Sequence, residues 1–171
     1  MKKAYLDIET TGLSWDNSYI TVIGILVCDG EEESKIQLYG DMITDTALDE
    51  VFCGVEEIFT FNGARFDLPF IKRTVGIDLL KGRKHHDLMY SCKKYGLYGG
   101  LKRIEKELGI GRDIEGCNGY MAVRLWWQYV NNDDEEALDV LLRYNMDDVR
   151  NLKVLEERLK ERRQDNSVAS V

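Results

Sequence analysis

Two carboxylates stand two residues apart near the start of the chain, Asp7 and Glu9, inside the run Ala4-Tyr5-Leu6-Asp7-Ile8-Glu9. On a strand, alternate side chains share a face, so both acids point the same way about 6–7 Å apart. Like charges on a half-buried surface repel and lose hydration, an arrangement that a bound cation relieves. A third acid, Asp67, follows the apolar run Ile58-Phe59-Thr60-Phe61 and precedes Pro69, the only proline in the chain. That order predicts an N-cap at Asp67 with proline in the first helical turn. It also places the carboxylate at the C-terminal end of a strand, where open α/β sheets build their sites.

The fourth acid lies on a long C-terminal helix. Its apolar stripe is Leu138, Leu141, Leu142, Val149, Leu152, Leu155 and Leu159. At 100° per residue, Asp148 falls about 50° from the centre of that stripe and Asp147 about 150° away, on the outer face. Tyr144 precedes Asp148 by one turn, so its hydroxyl and the carboxylate address the same point. Asp7, Glu9, Asp67 and Asp148 come from three segments, with His85 and His86 the only histidines and no CxxC pair. Such a donor set suits Mg²⁺ or Mn²⁺ rather than zinc. Hard ions with few protein ligands complete their shells with phosphate oxygens, which points to phosphoryl chemistry.

The elements that must hold these groups are legible from periodicity and turns. Residues 4–9 and 19–27 read as strands, Asp29-Gly30 as a hairpin turn, and Lys35–Tyr39 as the returning strand, giving an antiparallel meander. A short helix at 46–52, a strand at 58–61 and a helix through Phe66, Phe70 and Val75 follow. After a short strand at 83–87 come helices near 88–94, 99–108, 118–131 and 134–163. The expectation is one α/β domain over residues 1–163 with a mixed central sheet between helical layers, and a disordered tail at 164–171.

The 171 residues fit a single domain, and 44% hydrophobic content excludes wholesale disorder. Acid at residue 7 and the lack of a long apolar run argue against a secretory signal or a membrane span, so a cytoplasmic protein is expected. Cys28, Cys53, Cys92 and Cys117 are spaced for neither a zinc knuckle nor a disulfide scaffold, and read as reduced, mostly packed thiols. A net charge of −8 argues at first against nucleic acid. The charge is polarised, however. Residues 81–106 hold eight basic and two acidic side chains, +6, which leaves −14 for the remainder. Tyr90, Tyr95 and Tyr98 interleave with the lysines, as in a groove that holds a phosphate backbone and stacks bases, although a solvated helical face reads equally well. Of Trp126 and Trp127 at least one is expected in the core, and Trp15 is the better candidate for stacking.

Three runs carry a family resemblance. Tyr5-Leu6-Asp7-Ile8-Glu9-Thr10-Thr11-Gly12-Leu13 resembles the first exonuclease motif of the DEDD (DnaQ-like, ribonuclease H-like) superfamily. The run from Phe61 through Asn62-Gly63 and Asp67 to Phe70 resembles the second, and Tyr144-Asn145-Met146-Asp147-Asp148-Val149 the third. The tyrosine four residues before Asp148 is similar to the DEDDy branch, and within it the chain is most like the short YprB-like predicted exonuclease domains. Asn62–Pro69 also resembles the proofreading domain of family B DNA polymerases. The resemblance implies a ribonuclease H-like fold and a 3′–5′ exonuclease with two divalent cations, Mg²⁺ or Mn²⁺. Asp7 would bridge them, Glu9 and Asp148 would complete one, Asp67 would hold the other, and Tyr144 would orient the attacking water. Thr10, Thr11 and Leu13 match positions that meet the terminal nucleotide, Leu13 as a wedge, and Asn62 falls near the penultimate phosphate. The implied partner is single-stranded nucleic acid, DNA or RNA, with no membrane and no evident protein partner. Two rival readings are a ribonuclease H-type endonuclease and a non-cleaving nucleic-acid-binding module. The chain shows none of the polymerase, helicase or accessory domains of larger members.

Overall fold

The computed structural model of the chain describes residues 1–168, with side chains through Gln164. Five strands form one mixed sheet in the order β3-β2-β1-β4-β5. They are β1 (Lys2–Thr10), β2 (Ile20–Asp29), β3 (Glu32–Tyr39), β4 (Glu57–Thr60) and β5 (Lys84–Asp87). The expected meander is present, β1 antiparallel to β2 and β2 to β3, while β4 runs parallel to β1 and β5 parallel to β4. β1 is thus the middle strand, flanked on both edges.

Alternation along β1 divides the core. Ala4, Leu6 and Ile8 face one layer, where α1 (Asp45–Val51) and α2 (Asp67–Thr74) supply Leu48, Phe70 and Ile71. On the other face Tyr5 packs with Leu26 and Phe59 beneath Val149, Leu152 and Leu155 of α6 (Glu135–Val168), joined by α3 (Leu88–Lys94) and α4 (Leu101–Leu108). A third cluster seats α5 (Gly119–Asn132) against α6 and β2 through Cys117, Ala122, Trp126, Leu138 and Leu141. The architecture is therefore the expected α/β three-layer, ribonuclease H-like one. The last helix runs past the expected residue 163 to Val168, and the other helices differ from expectation by a residue or two: α4 starts at Leu101 because Gly99 has φ +119° and Gly100 is its extended N-cap, and it stops at Gly109, which takes the left-handed conformation.

Among the described residues no helix is long and apolar enough to cross a membrane. α6 extends to Val168, and most of the tail expected from 164 falls outside the residues whose side chains are described. Cys92 and Cys117 are buried, Cys28 is half-buried and Cys53 is exposed, and all four are free.

Candidate metal-binding active site

β1 delivers Asp7 and Glu9 to the face covered by α6, as alternation requires. What lets α6 reach them is the residue paired with Asp7 across the β1–β2 ladder, Gly24. A Cβ there would lie 2.1 Å from Asn145 Oδ1 and 2.8 Å from Val149 Cγ2, so only glycine permits this approach. Asn145, fully buried, fills the space: its Nδ2 reaches the Asp7 carbonyl at 3.4 Å and Asp7 Oδ2 at 3.3 Å. Its Oδ1 accepts from Gln37 Nε2 at 3.1 Å, and Gln37 also donates to the Leu142 carbonyl. One turn onward Asp148 arrives beside Asp7 and Glu9, and a carboxylate oxygen from each of the three lies within 4.8 Å of the others.

Asp67 adjoins this trio by a route that differs from the expected one. The N-cap of α2 is Phe66, not Asp67, and Asp67 is the first helical residue. The β1–β4 ladder ends at the Tyr5–Phe59 pair, and the Ile8 amide beyond it donates instead to Asp67 Oδ1 at 3.2 Å. The carboxylate is thereby tied to β1 between the two acids of the first motif. Burial, countered by backbone amides, raises its carboxyl to about 7. Burial, then the neighbouring carboxylates, raises Asp7 and Glu9 well above the usual range. Burial lifts Asp148 to about 6, with Arg112 and Lys102 pulling against it. Crowded, desolvated acids of this kind favour a cation strongly.

Two protein cations already address the cluster, and sequence reasoning missed the principal one. Arg112 sits in the irregular segment between α4 and α5, donating through one terminal nitrogen to Asp148 Oδ1 and through the other to Glu105 Oε2 at 2.7 Å. Burial works against its charge, yet Asp148 and Glu105 outweigh it and hold the guanidinium protonated. Glu105 is buried, and its other oxygen accepts from Asn151 Nδ2 at 2.9 Å. A sequence signal existed: on α4, Glu105 falls within the stripe of Leu101, Ile104 and Leu108, and a carboxylate in an apolar stripe demands a buried cation. Lys102 Nζ donates to the Tyr144 hydroxyl and to the Cys117 carbonyl, each at 2.6 Å, and lies 4.2 Å from the Tyr144 ring centroid. Tyr144 is buried, and burial and the neighbouring carboxylates push its hydroxyl up, so it stays neutral. With its oxygen accepting from Lys102, its proton is left to donate into the cavity.

That cavity, about 270 Å³, is lined by Asp7, Phe61, Leu101, Lys102, Arg103, Tyr144 and Asp148. Of the expected nucleotide contacts, none lines it. Thr10 Oγ1 donates to the Gly12 carbonyl and Thr11 Oγ1 accepts from the Tyr19 amide, so both hold the loop that follows Glu9. Leu13, at the tip of that loop, is 85% exposed. Asn62 adopts φ +62° at the end of β4, where its amide and that of Ala64 are held by Asp87, which also caps α3.

Two further sequence expectations are corrected, and a reading left open between groove and solvated face is narrowed. Asp147 is not on an outer face: it is buried, and its Oδ2 accepts from the amides of Asp113 and Ile114 at 2.9 and 2.8 Å. α6 is covered on a second side by the Arg112 segment, which a wheel centred on one stripe does not register. Trp15 is no free stacking surface, since its ring meets Phe70 edge-on and carries Arg73 at 5.2 Å. The basic stretch 81–106 is not one groove either. Lys102 and Arg103 line the acidic cavity, whereas Lys84 lies 3.9 Å from Glu57 and Lys94 lines a separate cavity of about 660 Å³ with Lys3, Phe59 and His86.

The donor chemistry fits a hard divalent ion: three buried or half-buried carboxylates converge on one point and a fourth adjoins. In comparison with known proteins, a family model described as the RNase H superfamily matches residues 4–160. Among solved structures, the family B DNA polymerase of the hyperthermophilic archaeon Pyrobaculum calidifontis is similar at 19% identity and TM-score 0.72, covering 93% of this chain and 24% of the polymerase. The chain thus spans about a quarter of that relative's length. Brucella melitensis NrnC is similar at TM-score 0.66 bound to pGG, with 19% identity, and at 0.63 with bound Mg²⁺, with 21% identity. These cover 96% of this chain and 74% and 75% of NrnC. Curated proteins give no match.

Proposed function

The chain belongs to the RNase H superfamily, and from that premise we propose that it is a metal-dependent 3′–5′ exonuclease of the DEDDy type, of the YprB-like kind, acting on single-stranded or frayed nucleic acid. The observation that carries the reading is the convergence of Asp7, Glu9 and Asp148 within 4.8 Å, with Asp67 tied to the same strand and Tyr144 one turn from Asp148. Brucella melitensis NrnC, similar in fold, has been seen with Mg²⁺ and with pGG, which agrees with this ligand chemistry.

Asp7, Glu9 and Asp148 would hold one divalent ion, and Asp7 with Asp67 a second. When bound, such a pair supplies Lewis-acid activation of water and stabilisation of the departing 3′-oxygen. The chain's own groups do the rest. Arg112, braced by Glu105, holds Oδ1 of Asp148, a residue of the cavity wall. Tyr144, its oxygen fixed by Lys102, donates its proton toward the attacking water and orients it. Lys102 and Arg103 on the cavity wall offset the charge of the scissile phosphate. Thr10, Thr11 and Leu13 on the adjoining loop, with Asn62 opposite, would receive the terminal and penultimate nucleotides. The products are nucleoside 5′-monophosphates.

The test is a digest of 5′-labelled single-stranded DNA and RNA with Mg²⁺, with Mn²⁺ and with EDTA, beside Asp7→Ala and Asp148→Asn. A descending ladder that needs a metal and vanishes in both variants is expected. Activity persisting in EDTA, or undiminished in either variant, would refute the mechanism. Internal cuts confined to a hybrid duplex would instead establish an endonuclease.

A further inference from the structure

Among the described residues, six of the eleven large apolar side chains that remain exposed gather together. Tyr19, Met42, Tyr120, Met121, Trp127 and Val130 are each at least 40% exposed and share one end of the molecule, formed by α5, the start of β2 and the turn after β3. On α5 the outward stripe is Tyr120, Arg124, Trp127 and Asn131, spaced i, i+4, i+7 and i+11, about 16 Å of helix. Tyr19 extends it: its ring meets Trp127 edge-to-face at 6.2 Å between centroids, and its hydroxyl accepts from Trp126 Nε1 at 2.9 Å. Beside Tyr19 opens a cavity of about 670 Å³ lined by Tyr39, Asp41, Met42, Trp126, Tyr129 and Val130.

Two connections join this face to the acidic cavity. Tyr19 exchanges backbone and side-chain hydrogen bonds with Thr11, two residues after Glu9. The N-terminus of α5 follows Cys117, whose carbonyl accepts from Lys102, the donor to Tyr144. The charge is equally distinctive. About one residue in six of the chain is acidic, yet the fourteen residues of α5 contain Arg124 and no Asp or Glu. An aromatic face that adjoins a phosphodiester site, with Arg124 on its helix and a single acid, Asp41, among the cavity residues, suits unpaired bases on a phosphate backbone, because every base offers a π-face and the helix sets a cation among the rings.

We propose that the α5–Tyr19 face binds the single strand upstream of the nucleotide being removed, with Trp127 and Tyr120 stacking two or more unpaired bases and Arg124 between them meeting a phosphate. The proposal rests on the exonuclease reading and adds to it where the substrate lies and why it is unpaired.

The test measures binding in EDTA, where no cleavage occurs, by fluorescence anisotropy of 5′-labelled oligothymidylates and oligouridylates of 2, 4 and 8 nucleotides. Affinity should rise with length. Trp127→Ala and Tyr120→Ala should each weaken binding of the octamer about tenfold, the scale of base–aromatic stacking, while the dimer changes little. Trp127→Phe should restore most of the loss and Trp127→Leu should not, with thermal unfolding of each variant reporting an intact fold. Equal octamer affinity for Leu and Trp at 127, or no gain from 2 to 8 nucleotides, would overturn the proposal. A dimer in sedimentation velocity that Trp127→Ala dissolves would also overturn it, assigning the face to a second copy of the chain. Digestion of the same oligomers with Mg²⁺ separates the two readings. Metal-dependent cleavage without any aromatic dependence sinks this surface alone, and aromatic, length-dependent binding without cleavage sinks the nuclease assignment alone.

Discussion

Adding one methyl group at Gly24 is expected to damage the acidic cluster without touching any of its acids. The new Cβ would meet Asn145 Oδ1 at 2.1 Å and Val149 Cγ2 at 2.8 Å, in each case about 1 Å or more inside van der Waals contact. Asn145 can rotate away only by releasing Gln37 and Asp7, and Val149 is fully buried against the sheet. Overpacking of this kind costs about 1–3 kcal/mol, and each hydrogen bond that Asn145 gives up adds about 1 kcal/mol. The total of roughly 3–5 kcal/mol corresponds to a fall in Tm of about 6–20 °C for a domain of this size. If α6 lifts instead by about 1 Å, Asp148 leaves Asp7 and Glu9, and a displacement on that scale costs on the order of 100-fold in turnover. The assays are thermal unfolding, Mn²⁺ binding by calorimetry, and single-turnover digestion. Asn145→Ala introduced with Gly24→Ala should recover part of the stability, a coupling of about 0.5–3 kcal/mol as expected for residues in contact. An unchanged Tm and Mn²⁺ affinity in Gly24→Ala, or strict additivity in the double variant, would refute the argument that glycine sets the approach of α6.

The two adjacent aspartates of α6 should separate by readout: Asp147→Ala strands two loop amides and lowers stability by about 1–3 kcal/mol, whereas Asp148→Ala abolishes Mn²⁺ binding measured by calorimetry. Tyr144→Phe should reduce kcat while leaving Mn²⁺ affinity within about twofold, because its hydroxyl is bonded to Lys102 and is no member of the converging carboxylate trio; a large loss of metal affinity contradicts that role. Stability should also depend on pH in a defined sense. Asp67 and Asp148 titrate near 7 and 6 in the folded chain, above the ordinary carboxylate value of 3.8, so the folded state holds the extra protons between those limits. In EDTA, the stability contributed by these two protonated acids is therefore fully present below pH 4 and lost as pH rises through 7, and Mg²⁺ should raise Tm more at pH 8 than at pH 5. A Mg²⁺ effect larger at pH 5 would reverse the assignment.

Much of this site could be read from residues in order. The period of two on β1 put Asp7 and Glu9 on one face, the period of 3.6 on α6 turned Asp148 inward one turn from Tyr144, and the strand followed by Asn62-Gly63 brought Asp67 to the sheet's edge. The meander also followed from alternation and turns, and so did the burial of at least one of Trp126 and Trp127, which the fold shows to be Trp126. Periodicity determines which side of its own element a residue takes, because that is fixed by backbone geometry within a few residues.

It does not determine what lies against that side. The Arg112 segment has no period, and only the fold brings it over α6, where it buries Asp147, pairs with Asp148 and gives Glu105 its cation. Gly24 looks like any glycine in a strand until its register opposite Asp7 and its contact with Asn145 are known. The basic stretch of residues 81–106 is continuous in sequence but divides between two cavities, since β5, α3 and α4 carry its charges to opposite ends of one sheet face. The amino-acid sequence by itself set the acids and their faces through local geometry. The positive charge that balances them, and the close packing that brings them together, were decided by contacts between residues far apart in the chain, which only tertiary structure specifies.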